Sequence, residues 1–184
     1  MGRTIWCAHL KDKRDHPLFP DKTMEKAAYC FAHQIVAIGW AGGSSGTDWK
    51  TFRKNAEDYY AANPNSRSAF KGAANALEKM EQNDLVWVIA PDSDCRYLYR
   101  VAVGGVPRTD ANRKDIDIGA YKQCEQAACY KKADLPDCLR RLRARRTLSG
   151  IRRSHICDEI EKLYGCTRIG SVEKGECDKD GEEK

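Results

Sequence analysis

The 184-residue chain has no long apolar run: its longest strongly apolar stretch, Leu85 to Ala90, is strand-length. A bilayer-spanning helix needs about 20 such residues, so none is expected. The first fifteen residues, MGRTIWCAHLKDKRD, lack the apolar segment and small-residue cleavage site of a secretory signal, and a cytoplasmic protein without membrane attachment is the expectation. In that reducing setting the nine cysteines are expected to stay free and behave as small buried hydrophobes.

Several catalytic signatures are missing too. There is no Gly-x-x-x-x-Gly-Lys phosphate loop and no Gly-x-Ser-x-Gly elbow. The pairs Asp92 with Asp94 and Asp115 with Asp117 read as turn residues rather than metal-holding acids. After Pro91-Asp92 the next Asp/Glu-x-Lys triplet is Glu182 to Lys184, in a tail that cannot form a core strand. Cys30 with His33, Cys124 with Cys129 and His155 with Cys157 do not make the paired knuckles of a structural zinc site. The expectation is a protein without enzymatic activity, metal or cofactor.

Acids are absent from one segment. Between Arg140 and Arg153 stand seven arginines (Arg140, Arg141, Arg143, Arg145, Arg146, Arg152, Arg153) and no Asp or Glu. The net charge is +5, but the last eleven residues hold three lysines against five acids, so residues 1–173 carry +7. A one-sided patch of this kind suits a polyanion, most simply a phosphate backbone. With 41% hydrophobic and 32% charged residues the rest is ordinary for one globular domain, placed at 1–170 and followed by a charged, disordered tail at 171–184.

Periodicity orders the elements. A first strand is expected at residues 3–9, a short helix at 22–32, and a strand at 34–40. Asp48 caps a second helix with its stripe on Trp49, Phe52, Ala56, Tyr59 and Tyr60, ending near Asn63-Pro64. Ser66 is the expected cap of a third, striped by Phe70, Ala73, Ala74, Leu77 and Met80. Asn83 tolerates the left-handed turn needed before a strand at 84–90. Cys95 to Val106 reads as its hairpin partner, 116–121 as a weaker strand, 135–151 as a Pro-led helix ending in a Gly break, and 154–164 as a last helix.

Four stretches in order, IVAIGW (35–40), AFKGAANALEKMEQNDLVWV (69–88), YLYRVAVG (97–104) and LPDCLRRLRARRTLSGI (135–151), resemble the EVE-like domains of the PUA superfamily, which stand alone or front modification-dependent restriction systems. Asn83 stands where that family has Gly before Asp-Leu-Val, and IGAYKQCEQAACYKK replaces a strand in which Arg and Trp would be expected. The resemblance implies an α/β (α+β) fold: a PUA-like curved β-barrel with inserted helices and a basic helical C-terminal region.

It also implies a function, namely recognition of a modified nucleobase flipped into an aromatic pocket, in a DNA restriction or defence setting with an effector nuclease subunit as partner. Trp40, at the end of a strand opening into AGGSSG, would be one wall. Gly39, Ser44 and Ser45 would line it, with Trp87, Tyr97 or Tyr99 as the second wall. The seven arginines would neutralise phosphates, leaving discrimination to the pocket. Nucleic acid, DNA ahead of RNA, is the expected partner; an RNA-binding role and a protein-docking or nucleotide-sensing subunit are the alternatives.

Overall fold

The computed structural model describes residues 3–10, 23–40, 47–90, 93–110, 116–142 and 147–169; the tail proposed at 171–184 lies outside them, as do Ser44, Ser45, Arg143, Arg145 and Arg146. It is a mixed α+β chain with a curled, six-stranded half-barrel sheet and, among the described residues, five helices. The elements run β1 (Ile5–His9), α1 (Thr23–Ala32), β2 (Ile35–Ile38), α2 (Trp49–Tyr59), α3 (Pro64–Lys79), β3 (Leu85–Ile89), β4 (Cys95–Val101), β5 (Ala120–Lys131), α4 (Asp137–Arg140), β6 (Leu148–Gly150) and α5 (Ser154–Ile169). None of these helices is long and apolar enough to cross a membrane.

The sheet order is β2-β5-β4-β3-β1-β6. β1 and β3 are parallel and every other pair is antiparallel. β3, LVWVI, is buried at every position, which is what a central strand covered on both faces requires. Alternation divides it between two cores. Val86 and Val88 face the layer of α1, α2 and α3, with Phe52, Phe70 and Leu77. Leu85, Trp87 and Ile89 face the layer of α4 and α5, with Leu139, Ile156 and Ile160.

The helix signals hold in part: the stripe expected for the second helix stops at Ala56, since Tyr59 at the helix end is 65% exposed and Tyr60 lies beyond it. Asp48 accepts from the Lys50 and Thr51 amides at 2.9 and 3.1 Å, and Trp49, Phe52 and Ala56 are the buried stripe of α2. All five stripe residues of the third helix are buried. Its cap, however, is Asn63 rather than Ser66: the Asn63 side chain accepts the Ser66 amide at 3.0 Å, and Pro64 takes the first helical position, where its missing N–H costs nothing. Asn83 turns left-handed at φ 72°, as its place before β3 demands. The next residue, Asp84, is buried and gathers three donors: the Thr4 amide, the Trp6 indole at 2.8 Å and the Glu81 amide. That carboxylate ties the start of β1 to the turn entering β3.

Two expectations are corrected. The weak strand placed at 116–121 is a twelve-residue strand, Ala120–Lys131, which pairs with β2 through residues 120–123 and with β4 through 124–131. A register shift opposite Leu98/Tyr99 leaves Ala127 as an extra residue in the part of this strand that pairs with β4, the kind of bulge that bends a strand and increases its twist. Of the helix expected across 135–151 the described residues show Asp137–Arg140, and Leu148–Gly150 is instead an edge strand on β1. Because the sheet curls, α3 packs against both of its edges, β2 and β6.

Candidate functional site

Trp40 leaves β2 in the left-handed conformation, φ 64°, which costs an L-residue roughly 1–2 kcal/mol. Its ring packs against the edge of the α1–α3 core and keeps part of its surface open. The ring is half-buried and meets Phe70 of α3 edge-on at 5.7 Å, with Phe70 resting in turn on Phe52 at 6.1 Å. A large aromatic held in a strained backbone by aromatic neighbours, with part of its surface open, has the build of a stacking platform.

The preceding residue explains how the strand ends. A Cβ on Gly39 would stand 2.1 Å from Asp117 Oδ2, so glycine lets the Asp117 carboxylate lie against this point of the backbone, and a larger residue would make it move. Asp117 is itself left-handed, φ 53°. Two residues on, Gly119 donates to the Ile38 carbonyl at 2.9 Å, and a Cβ there would strike the Gly39 carbonyl and the Phe52 ring. Glycine on both sides thus brings the 117–119 segment against the end of β2.

Lys26 completes the cluster. It is 2% exposed, and its Nζ donates to the Asp117 carbonyl at 2.8 Å and lies 3.4 Å from Oδ2. A buried ammonium is tolerated only where opposite charge and acceptors meet it, and both come here from one residue. The Tyr60 phenol is pushed up to about 12, first by burial and then by the Asp117 carboxylate, so it stays a neutral hydroxyl. Asp117, Lys26 and Tyr60 therefore form a partly buried polar cluster against Gly39, one residue before Trp40.

The rest of the expected pocket does not assemble around Trp40. Trp87 is wholly buried on the opposite face of the sheet, stacked on Tyr130 at 6.1 Å, because odd positions of β3 point toward α4 and α5. It therefore cannot share a wall with Tyr97 and Tyr99, which face the α1–α3 layer. Those two are remote from Trp40 for another reason. Ile38 pairs with Ala120, whereas Tyr97 pairs with Cys129, nine positions along the same strand and about 30 Å at 3.3 Å per residue. Tyr99 is 1% exposed and Tyr97 packs on Phe31 at 4.2 Å, so both serve the core. Gly39 does adjoin Trp40, and Ser44 and Ser45 fall outside the described residues.

The arginines divide into two groups. His9 donates to the Thr147 carbonyl at one end of β6, and Ile151 donates to the Ile5 carbonyl at the other. Arg140 and Arg141 precede the first end, and both pair with Asp137, an acid just upstream of the acid-free segment. Arg152 and Arg153 follow the second and are exposed. That second end, where β1 and β3 begin, is also the end beyond which β2 carries Trp40, since Val101, the last residue of β4, pairs with Cys124 while β2 pairs still further out. An open cleft lined by Arg3, Trp6, Lys79, Gln82 and Asp84 lies at the same end.

Among the described residues no group of His, Cys, Asp and Glu is arranged to hold a metal ion. The eight described cysteines are unbridged, and burial raises the thiols of Cys7, Cys30 and Cys124 to about 12. Comparison with models of protein families, with curated proteins and with solved structures returned no match.

Proposed function

We propose that the chain is a non-catalytic nucleic-acid-binding module of the PUA-like, EVE-like kind, which takes a flipped, modified base against Trp40. The observation that carries this reading is the Trp40 ledge itself: a strained, partly buried indole braced by Phe70, next in sequence to Gly39, against which the Asp117 carboxylate lies. An unstacked base costs a few kcal/mol to extrude, and stacking on an aromatic returns about 1–3 kcal/mol per base. A carboxylate accepts hydrogen bonds and offers none, so the edge it reads presents N–H donors, whether exocyclic amino groups (cytosine, adenine, guanine) or ring N–H groups (guanine, thymine, uracil).

Arg152 and Arg153, on the Trp40 end of the sheet, are the phosphate contacts in this arrangement, and Arg140 and Arg141, which share the one carboxylate of Asp137, contribute less. DNA in a restriction or defence setting, with an effector nuclease as the acting partner, is the proposed context. The test is fluorescence anisotropy on matched DNA and RNA oligonucleotides carrying cytosine, 5-methylcytosine, 5-hydroxymethylcytosine, adenine or N6-methyladenine. The expected result is a preference for one modified base that falls roughly 5- to 100-fold in Trp40→Ala, the stacking term expressed as affinity. Equal loss for modified and unmodified strands would remove the ledge from recognition.

A further inference from the structure

Arg96 lies on the face of the sheet away from Trp40. It is 8% exposed, and no carboxylate pairs with it among the described residues. Its Nη1 donates to the Ser93 and Cys95 carbonyls at 3.5 and 3.0 Å, while its buried Nε meets no acceptor among the described residues. Nor, among the described residues, does the indole N–H of the wholly buried Trp87. The two are neighbours. Trp87 stands opposite Leu98, two residues from Arg96 on the same face, and Tyr130 is both the cross-strand partner of Arg96 and the ring stacked on Trp87.

A buried guanidinium without a counter-charge and a buried indole N–H without an acceptor each cost free energy, and native folds retain such groups where a water, an ion or a ligand completes them. The adjacent Cys7 does not supply the missing charge: burial holds its thiol up to about 12, so it is neutral at physiological pH. With Nη1 committed to carbonyls, what remains is a donor-only, cationic edge, the side of arginine that grips two oxygens of an oxyanion. We propose that Arg96 and Trp87 form a second binding site, beneath α4 and α5, for a phosphate group, either free or carried by a nucleotide. It is independent of the Trp40 ledge.

The test is a ¹H–¹⁵N titration of the full chain with inorganic phosphate, and in parallel with a nucleoside monophosphate and a short duplex, against chloride of equal ionic strength. The Trp87 indole signal, assigned by its loss in Trp87→Phe, and an arginine Nε signal, assigned by its loss in Arg96→Gln, are expected to move with phosphate and not with chloride. A hundredfold excess of phosphate over Kd is expected to raise Tm by about 5–10 °C. Arg96→Gln should abolish the rise, and Arg96→Lys, which keeps the charge without the Nε edge, should weaken binding at least tenfold. Stronger binding of the monophosphate or the duplex would identify the carrier. Signals that stay fixed in phosphate, that move equally in chloride, or a Tm response that survives in Arg96→Gln would overturn the proposal.

Discussion

Replacing Gly39 by alanine tests the geometry on which the candidate site depends. The new Cβ would lie 2.1 Å from Asp117 Oδ2 and 2.8 Å from its Cγ, so the carboxylate has to retreat by about 1 Å to reach ordinary contact. It cannot do so freely, because Oδ2 faces the Lys26 ammonium, which is 2% exposed and has no other carboxylate in an ion pair among the described residues. Overpacking costs about 1–3 kcal/mol, and depriving a buried charge of part of its partner costs about 1–3 kcal/mol more. At 2–4 °C per kcal/mol for a chain of this size, Tm should fall by roughly 5–20 °C. Calorimetry on Gly39→Ala, Asp117→Gly and the double variant measures the coupling. Asp117→Gly removes the obstacle while accepting φ 53°, so the double variant should be less unstable than the sum of the singles by at least about 1.5 kcal/mol. Additive losses, or a Gly39→Ala protein within about 0.5 kcal/mol of the wild type, would refute the contact and with it the placement of Asp117 against Gly39.

Other outcomes follow from the same coordinates. At φ 64°, Trp40→Gly should be more stable than Trp40→Ala by about 1 kcal/mol in urea unfolding, although both lose the ring; the reverse order would mean that residue 40 is not left-handed. Neutralising Arg152 and Arg153 to Gln should lower the slope of log K against log salt by up to about 2 for DNA, and the same change at Arg140 and Arg141 by less, because Asp137 already holds those two. Equal slopes would contradict the division of the patch. Cys7, Cys30 and Cys124 have thiols raised from 9.0 to about 12 by burial. Each therefore keeps its proton in the folded chain where the unfolded chain has lost it, so stability should be flat below about pH 9 and decline between pH 9 and 12. Cysteine-to-alanine substitution at all three should shallow that decline, and an unchanged profile would show that the thiols are not its source.

The fold was readable where local chemistry and burial agree. Asp48 and its stripe, Asn83 before Asp84, and the all-apolar β3 each have one physical solution, and the chain adopts it. β5 is different. AYKQCEQAACYK has few β-branched residues, and its polar and small side chains give little strand preference. Its twelve residues are extended because β2 and β4 supply partners for their backbone groups, a tertiary contribution that no window of sequence contains. The cap of α3 differs for a local reason: Asn63 and Ser66 are both capping residue types, and Pro64 after Asn63 marks the first helical position.

The candidate site was readable at one residue and hidden at its neighbours. A tryptophan followed by a Gly/Ser loop signals a strand ending on an exposed ring, and Trp40 is half-exposed at such an end. Lys26 carried no signal, because nothing in a helical lysine announces burial, and Asp117 had the look of any turn acid. Their meeting depends on Gly39 and Gly119, whose lack of side chains matters only once the 117–119 segment is known to press on β2. The second wall failed for a reason that strand parity could have exposed. The register matches Trp87 with Leu98, so Trp87 and Tyr97 differ by one residue in pairing and must face opposite layers. One register position thus separates an aromatic pocket from two half-cores, and the recognition proposed for the Trp40 end rests on a single indole and the carboxylate against Gly39.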